Sequence, residues 1–384
     1  MKIKIANTVI IMTHDSLAPV KGGGALRTLA VINEIRKRNF KVIVVAPGNF
    51  DSENHAGVLY LPIPAPRKER SQILSAIKFN FRLIVRIIPV FNQANIIFAH
   101  NTIACIFVPI LKNIFRHFRF VLDITDIHAE YLPIGKRNII EILVAPFLLW
   151  YEYQIIKSAD QIIAATQAMK RHLVTKGVRE NKIQVVYDSV DKEKLPKEKE
   201  LSAGLGIIHL GAIDRQHNAE ILIKAIPKIT EKFPQARFFI IGGGREKENI
   251  QILARKLGVD RYCVFTGPLP CEEARAFLKK TNIGVITRKD VLPNRIITTL
   301  KIFEYWASKT AVIATSLEGI KEIATEGEDV LFFRSGDAED LAGKINLLLG
   351  DRAYACCLAT GGYRAVDRFN LYRAAAEIVN FSIK

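Results

Sequence analysis

Two triple-glycine runs, a glutamate just behind a Thr-Thr pair and a stretch of interleaved cations and apolar residues are where this chain could do chemistry. Gly22-Gly23-Gly24 falls between an apolar run (3–12) and a helical pattern opening near Ala25. Three glycines let backbone N–H groups close on an anion, and the helix start adds partial positive charge. The same residues would equally make a permissive surface turn. Gly242-Gly243-Gly244 stands likewise after Phe238–Ile241, with Lys247 in the helix that follows. It lacks the GxGxxG order and ribose-binding acid of a dinucleotide site, so it is either a tight strand–helix turn or a ligand contact. In the segment 294–312, Thr298-Thr299 mark a helix start, and Leu300, Phe303 and Trp306 have the spacing of a core face. Glu304 among them could accept hydrogen bonds from ribose hydroxyls while first-turn N–H groups hold phosphate. The alternative is a carboxylate on a solvated helix face.

These residues need a scaffold, and composition limits which one. The chain has 384 residues, 49% of them apolar, which excludes disorder and a small disulfide scaffold. It is longer than one core usually supports, so two domains are expected. Five cysteines without CxxC or metal-ligand spacing read as reduced thiols of a cytosolic protein, with no metal site. The N-terminus runs directly into a strand-like stretch, so no signal peptide is expected. The apolar stretch 138–156 is broken by Glu141, Pro146, Glu152 and Gln154 and falls short of a spanning helix.

Short β-branched runs alternate with amphipathic helical patterns. Strands are expected at 3–12, 41–46, 95–99, 119–124, 161–165 and 183–187, then at 206–210, 237–241, 262–266, 283–286, 311–314 and 330–333. Helices are expected at 24–38, 219–232, 246–257, 271–280 and 338–349. Such alternation predicts an α/β protein with parallel, doubly wound sheets. A charged, Pro-containing break at 191–203 separates a first Rossmann-like domain (1–190) from a second (204–352). Helices at 353–384 are expected to pack back toward the first domain. In such sheets ligands bind beyond the carboxyl ends of the strands, which predicts a substrate cleft between the domains.

Six segments, in order and spacing, resemble the retaining glycosyltransferases of family 4, which have the GT-B architecture of two Rossmann-like domains facing a central cleft. They are PVKGGGALRTLAVINEIRKRNFKVIVVAP (19–47), SADQIIAATQAMKRHLVTKGVRENKIQVVYDSVD (158–191), IIHLGAIDRQHNAEILIKAIPKI (207–229), ARFFIIGGG (236–244), VFTGPLP (264–270) and the run 300–345. The resemblance implies a nucleotide-diphosphate sugar, UDP- or GDP-linked, bound mainly by the C-terminal domain as substrate, with no cofactor and no metal. Glu304 matches the second glutamate of the family's E-x7-E motif, which contacts ribose. Backbone at Thr299, Leu300 and Lys301 would hold the diphosphate together with Gly22, Gly23 and Gly24. Gly211, Arg215, His217, Gly242 and Gly244 would line the donor, and Pro268 and Leu269 fall where the family places the base. In the N-terminal, acceptor-side domain, Asp126 matches the aspartate of a His-Asp pair, Thr125 takes the histidine's place, and His128 follows two residues later. Asp126 and His128 are therefore the catalytic candidates, able to hydrogen-bond donor sugar or acceptor hydroxyl, with His100 a further candidate.

The chain departs from the family pattern at three donor positions. The first motif glutamate is Ile296, and the usual Arg and Lys are Ala212 and His217. Arg215, Arg288, Arg295 and Lys301 are the cations near enough in sequence to substitute. The resemblance implies transfer with retention, in which the departing diphosphate oxygen takes the acceptor's proton and leaving-group stabilisation carries the catalysis. The departures motivate a second expectation, a catalytically silent sugar-nucleotide-binding or scaffold protein of the same fold. A sugar-nucleotide epimerase of the same fold is a third, opposed by the match over 300–345.

The formal charge is +17, with 25 basic and 14 acidic residues up to position 191. The excess therefore gathers in the first half. Residues 67–86 hold six cations and one acid, interleaved with Ile73, Leu74, Ile77, Phe79, Phe81, Leu83, Ile84 and Val85, and KNIFRHFRF (112–120) repeats the theme. Segment 67–91 reads as an interfacial helix on an anionic membrane surface, or else as a helix covering the sheet with a solvated basic face. No helix-turn-helix, zinc or RNP signature supports nucleic acid as the partner. A lipid-linked or membrane-presented glycan acceptor, met by a peripheral protein at the inner face of the cell membrane, fits the charge.

Overall fold

The computed structural model describes residues 7–20, 22–48, 58–64, 72–115, 117–134, 139–198 and 205–384. Lys21, residues 67–71 of the basic segment and residues 199–203 of the expected linker lie outside the described residues. The chain divides into two compact units. The first comprises residues 1–188 with 371–384, the second residues 189–370.

Unit 1 is a seven-stranded parallel sheet of order β3-β2-β1-β4-β5-β6-β7. Its strands are β1 (Thr8–Thr13), β2 (Lys41–Pro47), β3 (Val58–Ile63), β4 (Ile96–His100), β5 (Arg119–Ile124), β6 (Gln161–Ala164) and β7 (Ile183–Val185). β1 and β4 are buried along their whole length, as expected where helices cover both faces of a parallel sheet. The helices are α1 (Gly23–Lys37), α2 (Gln72–Ile87), α3 (Val108–Ile114), α4 (Ile139–Ser158) and α5 (Gln167–Thr175). β3 has no counterpart among the expected strands. It is an edge strand with alternating exposure and carries Pro62, features that weaken a strand signal.

Unit 2 is a six-stranded parallel sheet of order β10-β9-β8-β11-β12-β13. It contains β8 (Gly206–Leu210), β9 (Arg237–Ile241), β10 (Cys263–Gly267), β11 (Ile283–Ile286), β12 (Ala311–Thr315) and β13 (Leu331–Phe333). Around it lie α6 (Glu220–Lys232), α7 (Lys247–Lys256), α8 (Cys271–Ala276), α9 (Leu292–Arg295), α10 (Leu300–Ala307), α11 (Glu318–Lys321), α12 (Ala338–Gly350) and α13 (Arg352–Ala365). Of the C-terminal helices, α13 stays in unit 2, where Gly362 lets its backbone lie against the buried Trp306 ring. Only α14 (Leu371–Ser382) joins unit 1, packing its Leu371, Ala374, Ala375, Ile378 and Val379 into the core shared with α1.

In both sheets the strand order reverses beside the first strand, between β1 and β4 and between β8 and β11. Crossovers leave in opposite directions there, so the loops part and the carboxyl edge stays open for a ligand. The residues expected to do chemistry cluster at these two edges.

Candidate active site

At the carboxyl edge of unit 1, β1 delivers His14 and Asp15, β4 ends in His100, and β5 leads to Asp126 and a short 3-10 turn, His128–Ile134. The floor is an ion pair between buried Arg27 on α1 and buried Asp123 on β5. Nε and Nη2 of Arg27 donate to the two carboxylate oxygens at 2.8 and 2.9 Å. The guanidinium also donates to the carbonyls of Val186 and Tyr187, so no face of it is left without a partner. His100 Nδ1 lies 3.0 Å from Asp123 Oδ2, and its Nε2 lies 3.6 Å from Asp15 Oδ2. Burial pulls this imidazole's pKa down, but the bond to Asp123 and the charges of Asp123 and Asp15 outweigh it and raise the pKa above its usual value. Gly24 has to be glycine here, because a Cβ would overlap the Asp15 carboxylate and stand 2.7 Å from His100 Nε2. The triple-glycine run is thus a close approach of α1 to the cluster. Gly22, at φ 86°, caps that helix and is exposed, with Gly23 as its first residue.

His128 is in the opposite state. Burial, then His14 and His100, push its pKa down to about 3, so it is a neutral imidazole. Its ring meets that of His14 edge-on at 5.6 Å. The Nδ1 atoms of both histidines are buried and have no hydrogen-bond partner among the described residues. Orphaned buried nitrogens of this kind call for a hydroxyl or other ligand group. Asp126 accepts from Tyr131 Oη at 3.0 Å, and its own N–H and that of Thr125 donate to Asn101 Oδ1. Glu152, buried on α4, holds the next residues by accepting from the N–H groups of His128 (3.1 Å) and Ala129 (2.6 Å) and from the Thr102 hydroxyl. Burial outweighs these bonds and raises the Glu152 pKa to about 7.

Unit 2 places its glycine turns against one another. The Gly211 N–H donates to the Ile241 carbonyl, and the Ile213 N–H to that of Gly243. Gly242, at φ 136°, leaves no room for a Cβ, which would overlap the Gly211 carbonyl. Gly243 lies against Pro268, with Leu269 next in the turn, and Gly244 lies against the Ile213 backbone. The Lys301 side chain rests over Gly211. Its charge, after burial, helps drive the His209 pKa down to about 4. The His217 pKa falls well below normal through burial, then Arg288, Lys301 and His209. Both ring nitrogens of His209, Nδ1 of His217 and Oγ1 of Thr298 are buried without partners among the described residues. Two histidines at and just after the carboxyl end of β8 therefore feel the Lys301 charge, and His217 feels that of Arg288 as well.

α10 opens at Leu300 behind an extended Thr299 that makes no side-chain cap to the first turn. Glu304 is 8% exposed, which corrects the alternative of a solvated helix face. It accepts from Arg275 Nε and Nη2 at 3.0 and 2.8 Å, both on Oε1. Ile296 is in the core at 3% exposure. Of the four cations expected to substitute, Lys301 and Arg288 lower the His217 pKa through their charge, and Arg288 donates to Asn294 Oδ1 at 2.9 Å. Arg215 is held by Glu246 at 3.0 Å and Arg295 by Asp290 at 2.5 Å. An open depression of about 700 Å³ lined by Asn218, Lys224, Lys289 and Arg334 includes none of the glycine turns and not Glu304.

His14, Asp15, Glu152, His209 and Arg275 are site residues that sequence reasoning missed. His14 and Asp15 carried a signal, standing directly after the first strand at the glycine run. His209 did too, as the one ionisable residue in an otherwise apolar strand.

Residues 21–194 match the family described as Glycosyltransferase Family 4, and residues 204–351 match Glycosyl transferases group 1. The lipopolysaccharide core biosynthesis glycosyltransferase LpsE of Rhizobium meliloti (strain 1021) is 27% identical over 178 residues, 46% of this chain and 48% of that protein. The chain spans about half the length of the curated relatives it matches. Among solved structures, sucrose-phosphate synthase from Thermosynechococcus elongatus superposes with a TM-score of 0.78 at 17% identity, covering 98% of both chains. Anabaena Alr3699/HepE in complex with UDP-glucose gives 0.73 at 16%, covering 97% of this chain and 98% of that one. Likeness at that identity establishes the fold, and the two family matches together span most of the sequence. The chain belongs to the group 1 and family 4 glycosyltransferases and has their GT-B fold.

Proposed function

We propose that this glycosyltransferase moves a hexosyl group, with retention, from a nucleotide-diphosphate sugar to a lipid-linked or membrane-presented glycan. The observation that carries the donor assignment is the Lys301 side chain lying over Gly211 in the nested glycine turns, with its charge felt by His209 and His217 and the buried Glu304 on the same short helix. Glu304 would accept ribose hydroxyls, with Arg275 fixing its orientation. Backbone N–H groups at the start of α10 and the Lys301 ammonium would hold the diphosphate. UDP as carrier is favoured over GDP by Alr3699/HepE, whose solved complexes contain UDP and UDP-glucose.

In the step itself the acceptor oxygen bonds to the anomeric carbon as the bond from that carbon to the diphosphate oxygen breaks. The acceptor's proton passes to the departing oxygen on the same face. Lys301 and Arg288 offset the charge that develops there, the work a divalent cation would otherwise do, so turnover should survive chelation. In unit 1 the neutral His14 and His128 would accept or donate hydrogen bonds to sugar hydroxyls, with Asp126 and the His100–Asp15 pair beside them. LpsE, named for lipopolysaccharide core biosynthesis, supports a membrane-presented acceptor, as does the basic segment 67–91 for a peripheral position at the inner membrane face.

A thermal-shift panel of UDP-, GDP- and ADP-sugars followed by transfer assays tests this. One UDP-sugar should stabilise the fold, and Glu304→Ala should weaken its binding by about tenfold or more. No shift with any sugar nucleotide would overturn the proposal. Binding without turnover over a broad acceptor set would favour the silent-binder alternative, which Ile296 and Ala212 motivate.

A further inference from the structure

α4 is apolar on nearly every side, a property of helices that are covered all round, yet half of it is bare. Glu152, Tyr153, Ile155 and Ile156 of its second half are buried in unit 1. Its first half presents an outward stripe of Ile142, Leu143, Pro146, Phe147 and Trp150, with Leu143 73% and Phe147 60% exposed. The stripe holds no charged side chain. Phe147 stacks on Tyr151 and leans on Trp150, giving a broad aromatic surface.

The neighbours of α4 continue this surface. The crossovers after β3, β4 and β5 place α2, α3 and α4 on one face of the sheet. Asn80 of α2 and Tyr151 of α4 both hydrogen-bond backbone of the same loop, at Ile103 and Ile106. α2 turns Phe79, Leu83 and Ile87 inward and leaves Ile77, Phe81 and Val85 exposed among Lys78, Arg82 and Arg86. On α3, Ile110 and Ile114 are exposed as well. From Arg70 to Leu122 the sequence contains no Asp or Glu at all.

We infer that α4 is a hydrophobic insertion element that seats unit 1 in the headgroup–acyl boundary of an anionic bilayer, next to the cationic contact made by α2. The inference rests on the membrane part of the proposed function and adds a second, uncharged contact to it. Charge selects the occupant. A second copy docked symmetrically would bring two acid-free cationic surfaces together, whereas anionic headgroups complement the α2 cations while acyl chains receive the uncharged stripe. Among the described residues no helix is long and apolar enough to cross a membrane, so α4 lies in the boundary rather than through it. The division of labour predicts a salt-sensitive part of the binding from α2 and a salt-resistant part from α4.

The two tryptophans make this measurable, because Trp306 is fully buried and Trp150 is exposed on the stripe. Full-length protein is mixed with phosphatidylglycerol–phosphatidylcholine vesicles and with phosphatidylcholine vesicles. Emission should shift to the blue and be quenched by bromine-labelled acyl chains, and Trp150→Phe should abolish both signals. Leu143→Ser with Phe147→Ser should weaken co-sedimentation by about tenfold or more while the sugar-nucleotide thermal shift persists. Three outcomes would overturn the inference. Vesicle binding with unchanged Trp150 emission and no effect of the serine variants removes α4 and leaves the basic-segment contact standing. No binding to any vesicle removes both. A dimer that ignores vesicles and dissociates in the serine variants assigns the face to a second copy.

Discussion

Both units gather histidines at the switch point of a parallel sheet, one fully buried in each, and they do so in opposite electrical settings. In unit 1, Asp15 and Asp123 flank His100 and raise its pKa, while burial pulls those of His14 and His128 down. In unit 2 the neighbours of His209 and His217 are Lys301 and Arg288, and burial and positive charge act in the same direction. Carboxylates therefore favour the protonated form of the side chain in one sheet, and cations disfavour it in the other. Under the proposed function the first setting would serve the hydroxyls of sugars, and the second would leave its positive charge for phosphate.

The largest test of that contrast is Asp123→Ala. It strands Arg27 as a buried cation and frees His100, and should cost about 3–5 kcal/mol of stability in denaturant titration. An unchanged midpoint would mean Asp188, 3.6 Å from Arg27, takes over the pairing. In unit 2, Lys301→Ala should lower kcat by about 10²–10³ if leaving-group charge is met there. A kcat within twofold or so of the parent chain would move that role elsewhere and erase the contrast. The smallest effect sharpens the unit 1 side. Glu152 titrates at about 7 when folded against an ordinary 4.5, so the folded state holds a proton that the unfolded chain has released. Stability is full below the lower value and falls as pH rises through about 7, by about 3 kcal/mol. Glu152→Gln should flatten that slope in unfolding curves taken across the range, and a slope that survives assigns it to another group.

Where an element is buried on both faces, its sequence announces it, which is why β1, β4 and β12 were legible as unbroken apolar runs. β3 was not, since edge exposure and Pro62 remove that pattern. The site was legible where backbone geometry dictates residue type, at Gly24 and Gly242, and at the start of α10. It was illegible where it depends on which charges meet. Arg215, Arg288, Arg295 and Lys301 are alike in sequence, and only the fold shows that Glu246 holds Arg215, Asp290 holds Arg295 and Asn294 holds Arg288. Arg275 bracing Glu304 is a contact between two helices that no local pattern encodes.

The grip of Glu152 on the His128 turn sets a working depth. Trp150 faces outward and Glu152 is buried on the far side of α4, a helix about 10–12 Å across. If α4 seats in the boundary as inferred, the turn held by Glu152 would stand about one helix diameter above the acyl edge. An acceptor whose target hydroxyl sits close to its lipid would arrive at that height unaided. One extended by many sugars would have to fold back, so the inferred seating of α4 predicts selection by glycan length measured from the anchor.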